Sequence, residues 1–283
     1  MPAAVDTRLL QNSVYGAVPN DVSVNVAEGE LVTGATGISI APSAANRYGY
    51  ASESLNNAGT IWGTSGPGLL ATAGSSTSFA VTNRSTGVIG GMSGAFSKIE
   101  NEGSIDGDTG SAINGIENST WLINSGKITS SGSSATVAGK SKTIVNSGTI
   151  SNLDSSAAIS GGVIDVTNEE GGLISAATGP AITTSSLITL KNSGTISTGG
   201  TGPAVDGWSV TISNSPGGKF LSNGTAINSS ISLNMRNEGE IVGDIYTGRN
   251  NTFTGSASYV DSTEGSIKGN LTFDGGDDLL YAV

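Results

Sequence analysis

Two groups of carboxylates stand out in sequence: Glu100, Glu102, Asp106 and Asp108, and further along Glu238, Glu240 and Asp244. Paired carboxylates can share the acid and base steps of glycoside hydrolysis, which leaves polysaccharide cleavage as the enzymatic chemistry open to this chain. Most other chemistry is closed. The 283 residues include no histidine, which removes the Ser-His-Asp triad, the imidazole base and the commonest transition-metal ligand. They include no cysteine, so there is no thiolate nucleophile, disulfide framework or Cys metal cage. Neither G-x-S-x-G nor S-x-x-K occurs.

Calcium is the remaining cofactor to weigh. In DGDTGSAINGIE, Asp106, Asp108 and Glu117 occupy positions 1, 3 and 12 of an EF-hand-like loop, but Gly110 stands at position 5 and Ser111 replaces the glycine needed at position 6. The tail FDGGDDLLYAV has the Gly/Asp character of calcium-binding nonapeptides, once, where that motif needs tandem copies. Solvated acidic turns are the expectation in both places, with no catalytic residue and no cofactor. The net charge of −11 argues against nucleic acid and anionic membrane surfaces, which require clustered Lys and Arg. No apolar run reaches the ~18 residues of a membrane helix, and the first residues lack the basic and apolar regions of a signal peptide.

Glycine is abundant, at 43 residues, and aliphatic residues are sparse enough that composition alone leaves a disordered chain open. Periodicity decides. The phrase Asn-x-Gly-x-Ile and its variants recur at Asn57, Asn83, Asn101, Asn124, Asn146, Asn168, Asn192, Asn214 and Asn237, with Ala27 and Asp261 aligned at the same place in an earlier and a later copy. A period of about 22–24 residues marks a stacked repeat. Before each asparagine runs an alternating segment such as VIDVTN or LITLKN; after it come a turn and a second strand; a third strand follows a small residue, as in GPAI or GTAI.

Three short strands cannot bury an apolar face alone, so each coil must stack on the next. The predicted fold is all-β: a parallel β-helix of three-strand coils, roughly eleven of them, over residues 22–283, with 1–21 as an N-terminal segment or cap. In this reading the asparagine takes the left-handed backbone conformation at a tight bend and its amide forms a ladder up the axis, while the glycine avoids a Cβ clash. Asn57, Asn101, Asn124, Asn146, Asn168, Asn192, Asn214 and Asn237 are therefore structural. Glu102 and Glu238 follow ladder asparagines in distant coils, so the repeat does not gather the two carboxylate groups.

Function is sought where the repeat breaks. The first interval is the longest, with its surplus near residues 41–54, and Arg47, Tyr48 and Tyr50 there are candidate partner-binding residues; covering the end of the core is the competing role of that loop. The stretch YTGRNNTF adds Tyr246 and Arg249, with Phe253. Trp121 and Trp208 stand two residues before Ile123 and Val210, which predicts core packing over a sugar-stacking role.

The Asn-x-Gly-x-Ile coils, the Gly-x-Ala-Ile strands and the ending GSIKGNLTFDGGDDLL together resemble the passenger region of a Gram-negative autotransporter, a type V secreted protein. That resemblance spans residues 22–283 and implies a right-handed parallel β-helix exported to the cell surface through a C-terminal outer-membrane barrel. The barrel and a signal peptide are not in this sequence, so the likeness is to a passenger fragment, attached to a membrane only through that missing barrel. It implies a non-enzymatic adhesin or rigid stalk, secreted or on the outer-membrane exterior, in cell–cell, virulence or biofilm contact. A host or bacterial surface protein, a matrix or a glycan would be its partner. A carboxylate-based glycoside hydrolase or lyase on the same fold is the first alternative, and a rod that self-associates along a Thr/Asn-rich face the second.

Overall fold

The computed structural model describes residues 8–10, 22–40, 52–71, 78–116, 120–248, 259–262, 264–273 and 279–281. Every regular element among them is a β-strand, and every strand pairing is parallel. Each coil contributes one strand to each of three sheets. Sheet 1 holds the alternating segments that end on the repeated asparagine, such as Ser78–Asn83 and Leu187–Asn192. Sheet 2 holds the segments after the turn, such as Thr149–Asn152 and Thr195–Thr198. Sheet 3 holds those after the small residue, such as Ile182–Thr184. Some strands run through a corner without interruption, Lys219–Asn237 through all three sheets.

The core is a set of columns along the axis. In sheet 2, Ile105, Ile128, Ile150, Ile174 and Ile196 stack in register and are fully buried, with Phe220 and Ile241 continuing the column. Sheet 3 supplies Ile113, Val137, Ile159, Ile182, Val205 and Ile227. The residue before that strand is a buried alanine at 112, 158, 181, 204 and 226, and a buried threonine at 136. With about 1.5–3 kcal/mol for each large aliphatic side chain withdrawn from water, such columns stabilise the fold despite the modest aliphatic content. Period-2 alternation anticipated these two columns, and the parallel β-solenoid is as expected.

Nine asparagines, Asn57 to Asn237, delimit eight complete turns. Strands within 22–40 and 259–281 extend the stack at its ends, but the described residues form about eight turns, fewer than the eleven coils expected. Residues Arg8–Leu10 also pair with Ile38–Ile40, adding a strand to sheet 3 from within the segment read as a cap.

Three local expectations are corrected. Val26, not Ala27, stands under Asn57, because VAEGEL is a turn two residues longer than N-x-G, like NEEGGL. At the other end Arg236 pairs with Asp261, so Ser262 takes the asparagine position. The asparagines do not adopt the left-handed conformation: among the described residues Asp108, at φ 47°, is the non-glycine that does. The motif glycine serves inter-coil approach instead. A Cβ on Gly148 would lie 2.1 Å from the Gly126 carbonyl oxygen, and one on Gly126 the same distance from that of Gly103. Positive φ appears in the longer turns, at Gly171 (80°) and Gly217 (86°).

Candidate functional surface

The asparagine column is a continuous hydrogen-bonded ladder. Each Nδ2 donates to the Oδ1 of the next coil at 2.7–2.9 Å, from Asn57 through Asn83, Asn101, Asn124, Asn146, Asn168, Asn192 and Asn214 to Asn237. The second amide hydrogen serves the coil's own turn, reaching the carbonyl two residues on in short turns (Asn146 to Gly148, 3.1 Å) and four on in long ones (Asn168 to Gly172, 3.2 Å). Ser262 closes the ladder by accepting from Asn237 at 3.0 Å. All nine amides are buried and aligned, donors toward the C-terminal end.

At the N-terminal end the ladder is incomplete. Asn57 Oδ1 is buried without a hydrogen-bond partner, because the residue beneath it is the apolar Val26. Val26→Asn would place an amide there with the carbonyl of Glu30 four residues on, as in the other long turns. We expect a gain of about 1 kcal/mol, the lower range for satisfying a buried acceptor, read from denaturant unfolding. An unchanged or lowered midpoint would refute this account of the terminus.

Of the residues singled out for chemistry, Arg47, Tyr48, Tyr50 and Arg249 lie outside the described residues, as do Phe253 and Glu117. Tyr246 is exposed on the outer face of sheet 3, beside Asn228 of the preceding coil. Asp106 accepts the Asp108 amide at 3.0 Å, a side-chain-capped turn that accounts for the positive φ of Asp108.

The first carboxylate group is scattered around the coil. Glu100 faces out from sheet 1, where its ion pair with Lys98 (2.6 Å) holds its carboxyl below the usual value. Glu102 sits in the asparagine corner, while Asp106 and Asp108 lie at the next corner. In the second group Asp244 is separate, accepting from the backbone and side-chain amides of Asn270 at 2.7 and 3.1 Å. Glu238 and Glu240 meet a residue the sequence reading passed over, Glu264 of the following coil, in a shallow groove of about 340 Å³ floored by Gly218, Gly239 and Gly265. Arg236 contacts Glu238 (2.6 Å) and Glu264 (3.8 Å), and Lys268 pairs with Glu240, whose carboxyl it holds below the usual range. Cations therefore offset this acidic groove.

The tryptophans overturn the expected core role. Trp121 is 56% exposed and Trp208 39% exposed. Asn124 faces inward, so in Thr120–Asn124 Leu122 is the core residue and Trp121 and Ile123 both point out. Trp208 lies where the pairing register shifts between Gly207 and Ser209, which turns it out although Val210 two residues later is buried. Val163 and Leu187 are also exposed and adjacent in register, and Leu187 pairs with Ser209 beside Trp208. The outer face of sheet 1 thus bears a diagonal apolar stripe, with Ile123 and Val145 half-buried at its lower edge. Trp62 differs: its indole covers Gly90, where an added Cβ would lie 2.5 Å from the ring.

Fold and surface together define the chain as a parallel β-solenoid with an apolar stripe on one sheet. Comparison with family profiles, curated proteins and solved structures found no significant match.

Proposed function

We propose that the chain is a non-enzymatic rod acting outside the cell or at its surface, as an adhesive or structural stalk of the autotransporter-passenger kind. Its partner would be a surface protein, a matrix component or a glycan. The observation that carries this reading is the exposure of Trp121, Val163, Leu187 and Trp208 on one rigid, fully paired sheet. Large apolar side chains held out from a solenoid cost solubility unless they meet a partner, and exposed patches of this kind mark contact surfaces. A regular stack of parallel strands also suits a spacer, since each coil adds about 4.8 Å of length.

The groove at Glu238, Glu240 and Glu264 favours a second reading, carboxylate-based polysaccharide processing on the same fold. One experiment separates the two. The purified chain is screened against immobilised matrix proteins and glycans while the same polysaccharides are assayed for new reducing ends and unsaturated products. Retention without turnover is expected. Turnover that Glu240→Gln or Glu238→Gln abolishes would replace the adhesive reading with the enzymatic one.

A further inference from the structure

We infer that the outer face of sheet 1, between the coil of Trp121 and the coil of Trp208, binds an uncharged glycan chain laid obliquely along the diagonal apolar stripe. This deepens the non-enzymatic contact reading and rests on it. In register, Trp121 is followed on successive coils by Thr143, Asp165, Thr189 and Thr211, the last on the strand that carries Trp208. Four steps of about 4.8 Å separate the two indole-bearing coils by about 19 Å along the axis, and Trp208 is offset from Thr211 by three residues, about 10 Å, along the strand direction, an oblique span that covers several linked sugar rings.

The chemistry of the face alternates as a sugar chain's does. An indole offers a flat apolar platform for the C–H face of a pyranose, and the intervening threonine hydroxyls and Asp165 carboxylate can meet its hydroxyls. Charge selects further. Within a protein of net charge −11, the outward side chains of this face from the Lys98 coil to the Trp208 coil include Lys98, Lys191 and, at the corner position that Trp208 occupies, exposed Lys140, against Glu100 and Asp165, a near balance with one cation in excess. A nearly neutral face complements an uncharged ligand, while the net charge of the rod as a whole disfavours a uronate or sulfated chain. A second copy of the chain is the less fitting occupant. Stable protein interfaces engage about 20–30 residues a side around an apolar centre, whereas six apolar residues here are interrupted by polar ones.

The test uses the full chain and three probes: glucose, mannose and N-acetylglucosamine hexasaccharides, with a hexa-galacturonate as charged control. Titration is followed by tryptophan fluorescence and calorimetry. At least one neutral hexasaccharide is expected to bind saturably, with at least tenfold weaker binding for Trp121→Ala and for Trp208→Ala and none for the double variant, while Trp62→Phe retains it. Circular dichroism and unfolding midpoints check that the variants fold. Binding that survives the double variant, preference for the galacturonate, or failure of all neutral probes would overturn the assignment. Concentration-dependent dimers in sedimentation that the double variant abolishes would overturn it in favour of a second copy. If matrix proteins are retained while these sugars are not, the inference fails and the adhesive reading stands. If sugars are bound and cleaved, the inference stands and the non-enzymatic reading fails.

Discussion

Replacing Asn146 by alanine is expected to destabilise the protein by roughly 3–5 kcal/mol, among the largest effects of any single substitution here. Asn146 is fully buried; it accepts from Asn124 (2.8 Å) and donates to Asn168 (2.8 Å) and to the carbonyls of Gly148 (3.1 Å) and Leu173 (3.4 Å). Alanine removes them at once and leaves the Asn168 acceptor without a donor and one Asn124 N–H without its acceptor, each costing about 1–3 kcal/mol, plus a cavity, while the Gly148 carbonyl keeps the Leu173 N–H at 2.8 Å. Asn146→Asp keeps the shape and reverses one role. Its ionised oxygens would face the Asn168 oxygen and the Gly148 carbonyl, so the loss at pH 7 should match or exceed that of alanine and shrink in acid as the carboxyl gains a proton it can donate. Asn57→Ala should cost less, because the Asn57 acceptor is already orphaned. Urea unfolding of the three variants, with exposed Asn114→Ala as a control expected within about 0.5 kcal/mol, decides the matter. Equal losses at positions 57 and 146 would show that the ladder does not act as a chain of paired amides.

Lys142→Met should stabilise the protein at pH 7 and destabilise it near pH 11. Lys142 is 4% exposed in the inward column that continues through Ile164, Ile188 and Val210. Its ammonium donates to the carbonyls of Gly139 (3.1 Å) and Ser160, and the absence of a side chain at Gly161 makes room for it. Burial lowers its pKa from 10.5 to about 8. Below pH 8 both folded and unfolded chains carry the proton, and folding bears the whole desolvation cost, about 3 kcal/mol at 1.36 kcal/mol per pH step. Between pH 8 and 10.5 the unfolded chain binds more protons, so stability rises with pH; above 10.5 the cost is gone. Methionine removes the charge but leaves the two carbonyls without this donor, about 1–2 kcal/mol in the opposite direction. The difference between the two proteins should therefore change sign between pH 8 and 10.5, and parallel stability profiles across that range would refute the assignment.

Both positions show what a sequence can and cannot display. Counting back in twos from the inward asparagine reaches Ile144 and then Lys142, so the buried lysine was legible by parity; a charged residue in an alternating strand reads as outward unless the asparagine is taken as the reference. The same count from Asn124 puts Leu122 inside and Trp121 outside, where taking Ile123 as core inverted the strand. From Asn214, however, parity puts Trp208 inside. Only the register shift at Gly207 and Ser209 turns it out, and a bend between sheets leaves no mark on a two-residue period. The offset at Val26 has another origin: its turn is lengthened like that of Asn168, but valine stands where the asparagine would mark the start. Glu264 was hidden because the groove depends on coil-to-coil adjacency, which a list of neighbours in sequence does not contain.

The amide ladder accepts a turn carbonyl from either two or four residues downstream, as Asn146 and Asn168 show, without altering the column above it. It therefore works as a register reset. Whatever length the arcs between corners acquire, each new coil is brought back to zero by one amide docking on the last. Copying errors in coil length stay local instead of accumulating along the rod. Evolution or an engineer can then splice loops into the arcs of such a chain while leaving its asparagines alone.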